Sequence, residues 1–458
     1  MKKLSCVLLA IASTAVATAQ SGGGWTNLFD GKSLNGWNKI TGSAEYKIED
    51  GEIVGITVPN SPNTFLVTDK EYGDFVLELE VKVDDTTSNS GIQFRSHYNP
   101  EMSNGRGGKG RVYGYQFELD PSSRAWTGGV YDEARRDWLY PLSLNPAAQS
   151  AFKPGQYNKV RVECIGNNIR TWVNDKACAY VVDTVDKKGF IALQVHAIPK
   201  PELAGEKIHW RNIRIKTTGL SPLPFPKGVY VADYIPNTLT PYEKNEGWKL
   251  LFDGKTTNGW KGAYKPGFPE KGWEVKDGTL TVLSSNGAES TNGGDIVTKD
   301  EYKAFDLSFD FKLTPGANSG VKYFVTLSEN NKGSAIGLEY QVLDDTLHPD
   351  AKLGRDGNRT LASLYDLIKA DKQKRFIHQP GQWNSGRVVV YPNNHVVHYL
   401  NGVKVLEYDR GSAHFRELVA LSKYKVWKDF GEAPKGHILL QDHGNEVSFR
   451  SIKLKELK

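Results

Sequence analysis

The chain has 458 residues, too many for one ordinary domain, and a folded protein's composition: 39% hydrophobic without counting glycine, 24% charged, 46 glycines. That excludes wholesale disorder, and at about 150–200 residues per domain two or three domains are expected. The formal charge of +5, from 58 Lys and Arg against 53 Asp and Glu, is too small to argue for nucleic acid or an anionic membrane as partner.

The first element is a secretory leader. Lys2-Lys3 is a positive n-region, residues 4–16 are apolar, and Ala17-Thr18-Ala19 is a small-x-small cleavage site before Gln20. The apolar run is shorter than the roughly 20 residues of a membrane span, and no later run competes. An exported, soluble protein without a membrane span is expected, periplasmic or extracellular, with residues 1–19 removed.

From residue 24 the chain repeats itself. Gly24-Trp25, Phe29-Asp30-Gly31-Lys32 and Asn35-Gly36-Trp37 return as Gly247-Trp248, Phe252-Asp253-Gly254-Lys255 and Asn258-Gly259-Trp260. Asn89-Ser90-Gly91 returns as Asn318-Ser319-Gly320, and Tyr131-Asp132 as Tyr365-Asp366. Pro154-Gly155-Gln156 returns as Pro380-Gly381-Gln382, and Gln194-Val195-His196 as Gln441-Asp442-His443. A period above 200 residues is too long for a solenoid, so this is a duplicated domain, with copies at 24–216 and 247–458. Between them, residues 217–246 carry Pro222, Pro224, Pro226, Pro236 and Pro241, which predicts an extended, semi-rigid connector.

Each copy reads as all-β. Residues 75–83 and 305–313 alternate apolar and polar with period two, and Asp50-Gly51, Asp277-Gly278 and Asn401-Gly402 mark turns. So many strands in about 200 residues predict two packed sheets, a sandwich or jelly roll. The best helix candidate is 413–422, with Ser412 as N-cap. Cys164 and Cys178 fall on the first and third strands of a meander over 159–165, 169–173 and 177–182. Strands two apart are separated by roughly 9–10 Å, beyond disulfide reach, so both are expected to be free, buried, small hydrophobes.

Gly105-Arg-Gly-Gly-Lys-Gly110 matches a dinucleotide fingerprint literally, but it leads into strand-like alternation at 111–119 and reads as a loop. His395 and His398 have odd spacing on a strand, which sends them to opposite faces. The sharper pattern is pairs at i, i+2: Gln116 with Glu118, Glu339 with Gln341, Gln194 with His196, Gln441 with His443. Spacing of two puts each pair on one sheet face, and because the other face is spent on the core, an open polar face and a ligand site upon it are expected.

At this point the sequence resembles the 3-keto-disaccharide hydrolases, also called 3-keto-glycoside 1,2-lyase/3-keto-2-hydroxy-glucal hydratase domains. The residues that carry the likeness are the Leu-Phe-Asp-Gly-Lys-x-x-Asn-Gly-Trp opening, Asn318 to Tyr323, Gly337 to Asp345, His348-Pro349-Asp350-Ala351 and Gly357-Asn358-Arg359-Thr360. His398 to Gly402 and Gly436 to Gly444 complete them. The resemblance implies a concanavalin-like jelly roll, a carbohydrate oxidised at C3 as substrate, and cleavage begun by C2 proton removal. It implies His443 as base, with Glu339 as alternative base or metal ligand, and Gln341, Gln441, Tyr365 and Arg359 as donors to the enolate or sugar hydroxyls. Further substrate contacts are implied at His398 and, in the first copy, at Gln116, Glu118, Gln194, His196 and Arg95. The cofactor stays open; a hard divalent cation suits carboxylate and amide oxygens. The first copy lacks the His-Pro-Asp-Ala and Gly-Asn-Arg-Thr segments, so the fuller pattern belongs to the second. Two other readings stay open: a hydrolytic glycosidase, which needs two carboxylates at suitable separation, and a non-catalytic glycan-binding module.

Overall fold

A strand with alternating apolar residues has one face that must leave water, and such strands stack here as two pairs of sheets. In the computed structural model, which describes residues 20–21, 23–84, 87–328 and 335–458, the first half builds a ten-stranded and a seven-stranded sheet. The second half builds an eight-stranded and a five-stranded sheet. The fold is therefore all-β, two tandem sandwiches of the jelly-roll type. Residues 1–19, where a leader is expected, lie outside the described residues. Among the described residues no helix is long and apolar enough to cross a membrane.

The strand Phe75–Val83 lies between Lys207–Lys216 and Asn158–Ile165, and its counterpart Phe305–Leu313 between Val447–Glu456 and Trp383–Val390. Phe75, Leu77 and Leu79 meet Ile92, Phe117 and Leu193 across the first core; Phe305, Leu307 and Phe309 meet Tyr323, Tyr340 and Leu440 across the second. Each such side chain contributes about 1.5–3 kcal/mol by leaving water, which fixes strand register and so decides which side chains face outward.

The meander runs as Asn158–Ile165, Asn168–Val173 and Lys176–Val182, and both cysteines on it are free and buried. The helix is Ala413–Ala420, two residues shorter than its sequence pattern, capped where the Ser412 hydroxyl accepts the Phe415 N–H. The connector departs from the extended spacer expected of it. Ala232–Asp233 pairs in parallel with Lys176–Val182, and Pro241–Asn245 is a short helix closed by a Thr240/Glu243 capping box. Tyr230 binds both halves: its carbonyl accepts the Tyr140 hydroxyl, and its own hydroxyl meets Ser308 Oγ.

Candidate functional site

The five-stranded sheet runs in the order Trp260–Gly262, Ile296–Thr298, His437–Leu440, Asn318–Val325, Leu338–Leu343. Its register sets Lys322 opposite Glu339, Gly320 opposite Gln341, and Val321 between Tyr340 and Leu440. Because neighbours alternate faces, Val321, Tyr340 and Leu440 enter the core while Lys322, Glu339 and Gln341 take the other side. Gln441 and His443, just beyond His437–Leu440, turn the same way. With Tyr365, all five line one cavity of about 250 Å³.

The glycine of the repeated Asn-Ser-Gly is the space that the floor requires. A Cβ on Gly320 would stand 2.5 Å from Glu339 Oε1, and one on Gly91 2.3 Å from Gln116 Cδ. Where an open face was expected, the floor is covered: Glu339 is 4% exposed and Gln341 0%, because Tyr365, Lys423, Tyr424 and Trp427 wall it in.

Burial pushes the Glu339 carboxyl above the ordinary range, against the pull of Lys322, Lys423 and His443. Lys322 is itself buried; its Nζ donates to the Ala335 carbonyl at 3.0 Å and lies 4.0 Å from Asp295 Oδ2. Asp295 accepts the N–H groups of Asp442 and Ala335, and burial raises its carboxyl to about 6, with Lys322 opposing. His443 stands at the rim, its side chain 30% exposed and its Nε2 4.0 Å from Glu289 Oε2. Two buried acceptors, Asn318 Oδ1 and Gln441 Oε1, have no hydrogen-bond partner. An unsatisfied buried acceptor costs about 1–3 kcal/mol, and a sugar hydroxyl is the donor such oxygens suit. Among the described residues, no group of three or more His, Cys, Asp or Glu is placed to share a metal ion.

Several expected contacts lie elsewhere. Arg359 spends its guanidinium on Asp350 Oδ1 (3.0 Å) and Asp366 Oδ1 (2.7 Å), while the Tyr365 hydroxyl donates to Asp350 Oδ2 (2.8 Å). Arg359 thus braces the wall that carries Tyr365 and does not line the cavity. His398 is a correction: it is wholly buried between the sheets against the Tyr323 hydroxyl (2.8 Å) and the Ala362 carbonyl (3.1 Å). Burial lowers its pKa to about 4, so it packs as a neutral core side chain. Arg95 is a second correction, 1% exposed and donating to the Gly73 and Gly166 carbonyls and to Asp74; it ties loops together.

In the first copy, register pairs Gln93 with Gln116 and Gly91 with Glu118, the places of Lys322 with Glu339 and of Gly320 with Gln341. Phe65 precedes Leu66, the partner of Leu193, as Asp295 precedes Ile296, the partner of Leu440. The four polar side chains form a closed run: Gln93 Nε2 donates to Gln116 Oε1 (2.5 Å), and Gln116 Nε2 and Asn89 Nδ2 donate to Glu118 (2.8 and 2.7 Å). Burial raises the Glu118 carboxyl to about 7. Gln194 is fully buried with neither polar atom partnered, and the half-buried His196 holds Nδ1 2.7 Å from the Ala197 carbonyl.

Sequence reasoning passed over Lys322, Asp295 and Lys423. Lys322 left a signal, being the single charged residue in a strand otherwise buried and uncharged, two places from Gly320. Asp295, just before the strand Ile296–Thr298, and Lys423, at the start of a short 3-10 helix, left none.

Comparison with known proteins adds the following. The family model for the 3-keto-alpha-glucoside-1,2-lyase-like domain matches residues 24–216 and again 247–455. A protein of Bacteroides thetaiotaomicron named 3-keto-disaccharide hydrolase is 38% identical over 235 residues, covering 46% of this chain and 79% of that protein. Among solved structures, two proteins of Parabacteroides distasonis designated glycosyl hydrolases align with about half of the chain. One has 31% identity and TM-score 0.43 over 49% of this chain and 100% of its own. The other has 29% identity and TM-score 0.35, over 46% and 99%.

Proposed function

The chain belongs to the 3-keto-alpha-glucoside-1,2-lyase-like domain family, in two copies, and on that footing we propose that it cleaves glycosides oxidised at C3, removing the C2 proton and expelling the C1 substituent. The observation that carries this reading is the convergence of a buried carboxyl, Glu339, and a rim histidine, His443, on one cavity of about 250 Å³. That is below the volume of a drug-sized pocket and suits one sugar ring with its aglycone projecting outward.

A ketone at C3 acidifies the C2 hydrogen. His443 takes that proton at the rim of the pocket, its Nε2 4.0 Å from Glu289 Oε2. The electron pair opens the C3 carbonyl to an enolate, then returns to form C1=C2 as the C1–O bond breaks toward the aglycone. Addition of water to the resulting 3-keto-2-hydroxy-glucal gives the free 3-keto sugar. Glu339 is the second proton carrier of the pocket, and Gln341, Gln441 and Tyr365 hold sugar hydroxyls. The leader at residues 1–19 supports action outside the cytoplasm.

The test is incubation with a 3-keto-glucoside, following aglycone release and a transient enone absorbance. Release from the oxidised glucoside with near inertness toward the unoxidised one is expected. Equal rates on both would return the protein to the hydrolytic glycosidases, and tight binding without turnover would make it a glycan-binding module.

A further inference from the structure

We infer that the buried Lys322–Asp295 pair is the electrophile of this site, Lys322 taking up the negative charge that develops on the C3 oxygen, and that the first copy, which lacks both members, does not eliminate. The inference rests on the 3-keto reading above and assigns a residue and a division of labour to it.

Burying an ion pair costs desolvation that its Coulomb attraction scarcely offsets, so a pair kept at 4.0 Å with members 5% and 1% exposed needs a reason. Folding is not that reason. The first sandwich fills the same two places with Gln93 and Phe65, equally buried. Both charges are exchanged together, as removing one alone would strand the other. The pair occurs where a cavity adjoins it, lined by Asn318 and Gln441, whose Oδ1 and Oε1 await donors.

Geometry fits the role. An ammonium has three donors; one goes to Ala335 and one faces Asp295, which two backbone N–H groups hold still. The third remains for a ligand. Lys322 stands directly opposite Glu339 in the ladder, so a proton carrier and a cation flank one point of the pocket. As the C2–H pair moves into C2=C3, the carbonyl pair moves onto oxygen, where a preorganised cation in a water-poor site acts most strongly. The charge leaves that oxygen when the aglycone departs with the C1–O pair and takes up a proton from the protonated base.

The test uses the full chain and a variant that the fold has already accepted, Lys322→Gln with Asp295→Phe, which copies the first sandwich's own pair. It avoids the stranded aspartate of a single change. Deuterium uptake at C2 in heavy water and aglycone release from a 3-keto-glucoside are both followed, with thermal unfolding as a check. Removing one such stabilising group costs about 10²–10³-fold in kcat, and we expect that loss in uptake and release alike, with KM for the 3-keto-glucoside changed less than about threefold. Gln93→Leu should leave both rates unchanged. Uptake at the wild-type rate in the folded double variant would overturn the inference, as would a raised KM with kcat intact. Release that falls while uptake persists would move Lys322 to the leaving group and overturn it too. A wild-type chain inert toward 3-keto-glucosides would overturn the reading beneath it, and the inference with it.

Discussion

The two sandwiches share a scaffold down to the glycine beneath the floor, yet one holds charges where the other holds amides. In the second copy Lys322, Glu339 and Asp295 sit buried beside a walled cavity, and two acceptors stay unsatisfied. In the first, Gln93, Gln116 and Asn89 close a hydrogen-bonded run on the single carboxyl Glu118. The difference teaches that this outer face tolerates either chemistry at little cost to the fold. The core lies on the opposite side of each strand, so the identity of an outward side chain is free to follow function.

The sharpest way to break the comparison is kinetic. His443→Ala should lower kcat on a 3-keto-glucoside by about 10²–10⁴, the usual worth of a positioned base, while His196→Ala changes it less than about twofold. Equal losses, measured as initial rates of aglycone release, would show that both copies turn over.

Stability comes next. Lys322→Met strands Asp295 and should cost about 3–5 kcal/mol, whereas Gln93→Met loses two neutral hydrogen bonds, to Gln116 and from Ser96, at about 0.5–1.5 kcal/mol each. The former cost should also depend on pH. The folded-state pKa of Asp295 is raised, to about 6 with Lys322 present, so stability is lost as pH rises through it and partly recovered below. Denaturant melts at pH 5 and pH 8 would check this; a pH-independent cost would show that Asp295 stays neutral throughout.

The two floor glycines sharpen the contrast further. Gly320→Ala drives a methyl into the Glu339 carboxyl and should cost about 1–3 kcal/mol of stability together with most of the activity. Gly91→Ala meets Gln116 in the same way and should cost stability alone. Activity measured on folded protein decides between them.

The last contrast lies at Glu118 and shows only as a dependence on pH. Its carboxyl is raised from 4.5 to about 7, so the folded chain holds that proton more tightly than the unfolded one. Its contribution to stability is complete below about pH 4.5 and declines as pH climbs through 7. Glu118→Gln should remove this slope, so that the difference from wild type moves in the variant's favour by about 3 kcal/mol between pH 4 and pH 8.5. An equal difference at both pH values would show that the carboxyl titrates normally.

Much of the candidate site could be read without a structure, for a definite reason. Spacing of two on a strand decides the face of Glu339 with Gln341, and the repeat showed which pairs to compare. His398 was misplaced because a strand's parity says which two residues share a face, not which face meets the core; only the partner sheet, through Tyr323, decided that. Arg95 and Arg359 were misplaced because a charged side chain in a motif answers to whichever carboxylates and carbonyls the loops bring near it.

What the amino-acid sequence determined alone is therefore local and periodic: two copies, strands of alternating face, cysteines too far apart to join. These follow from backbone geometry within a few residues, or from identity between stretches of one chain. What only the tertiary structure decided is long-range: that the polar face is covered, that Lys322 lies opposite Glu339, and that Asp295 and Lys423 arrive from segments far away in the chain. Register between separate strands and the closure of loops over a sheet are fixed by the packing of both cores at once, and no window of sequence contains that information.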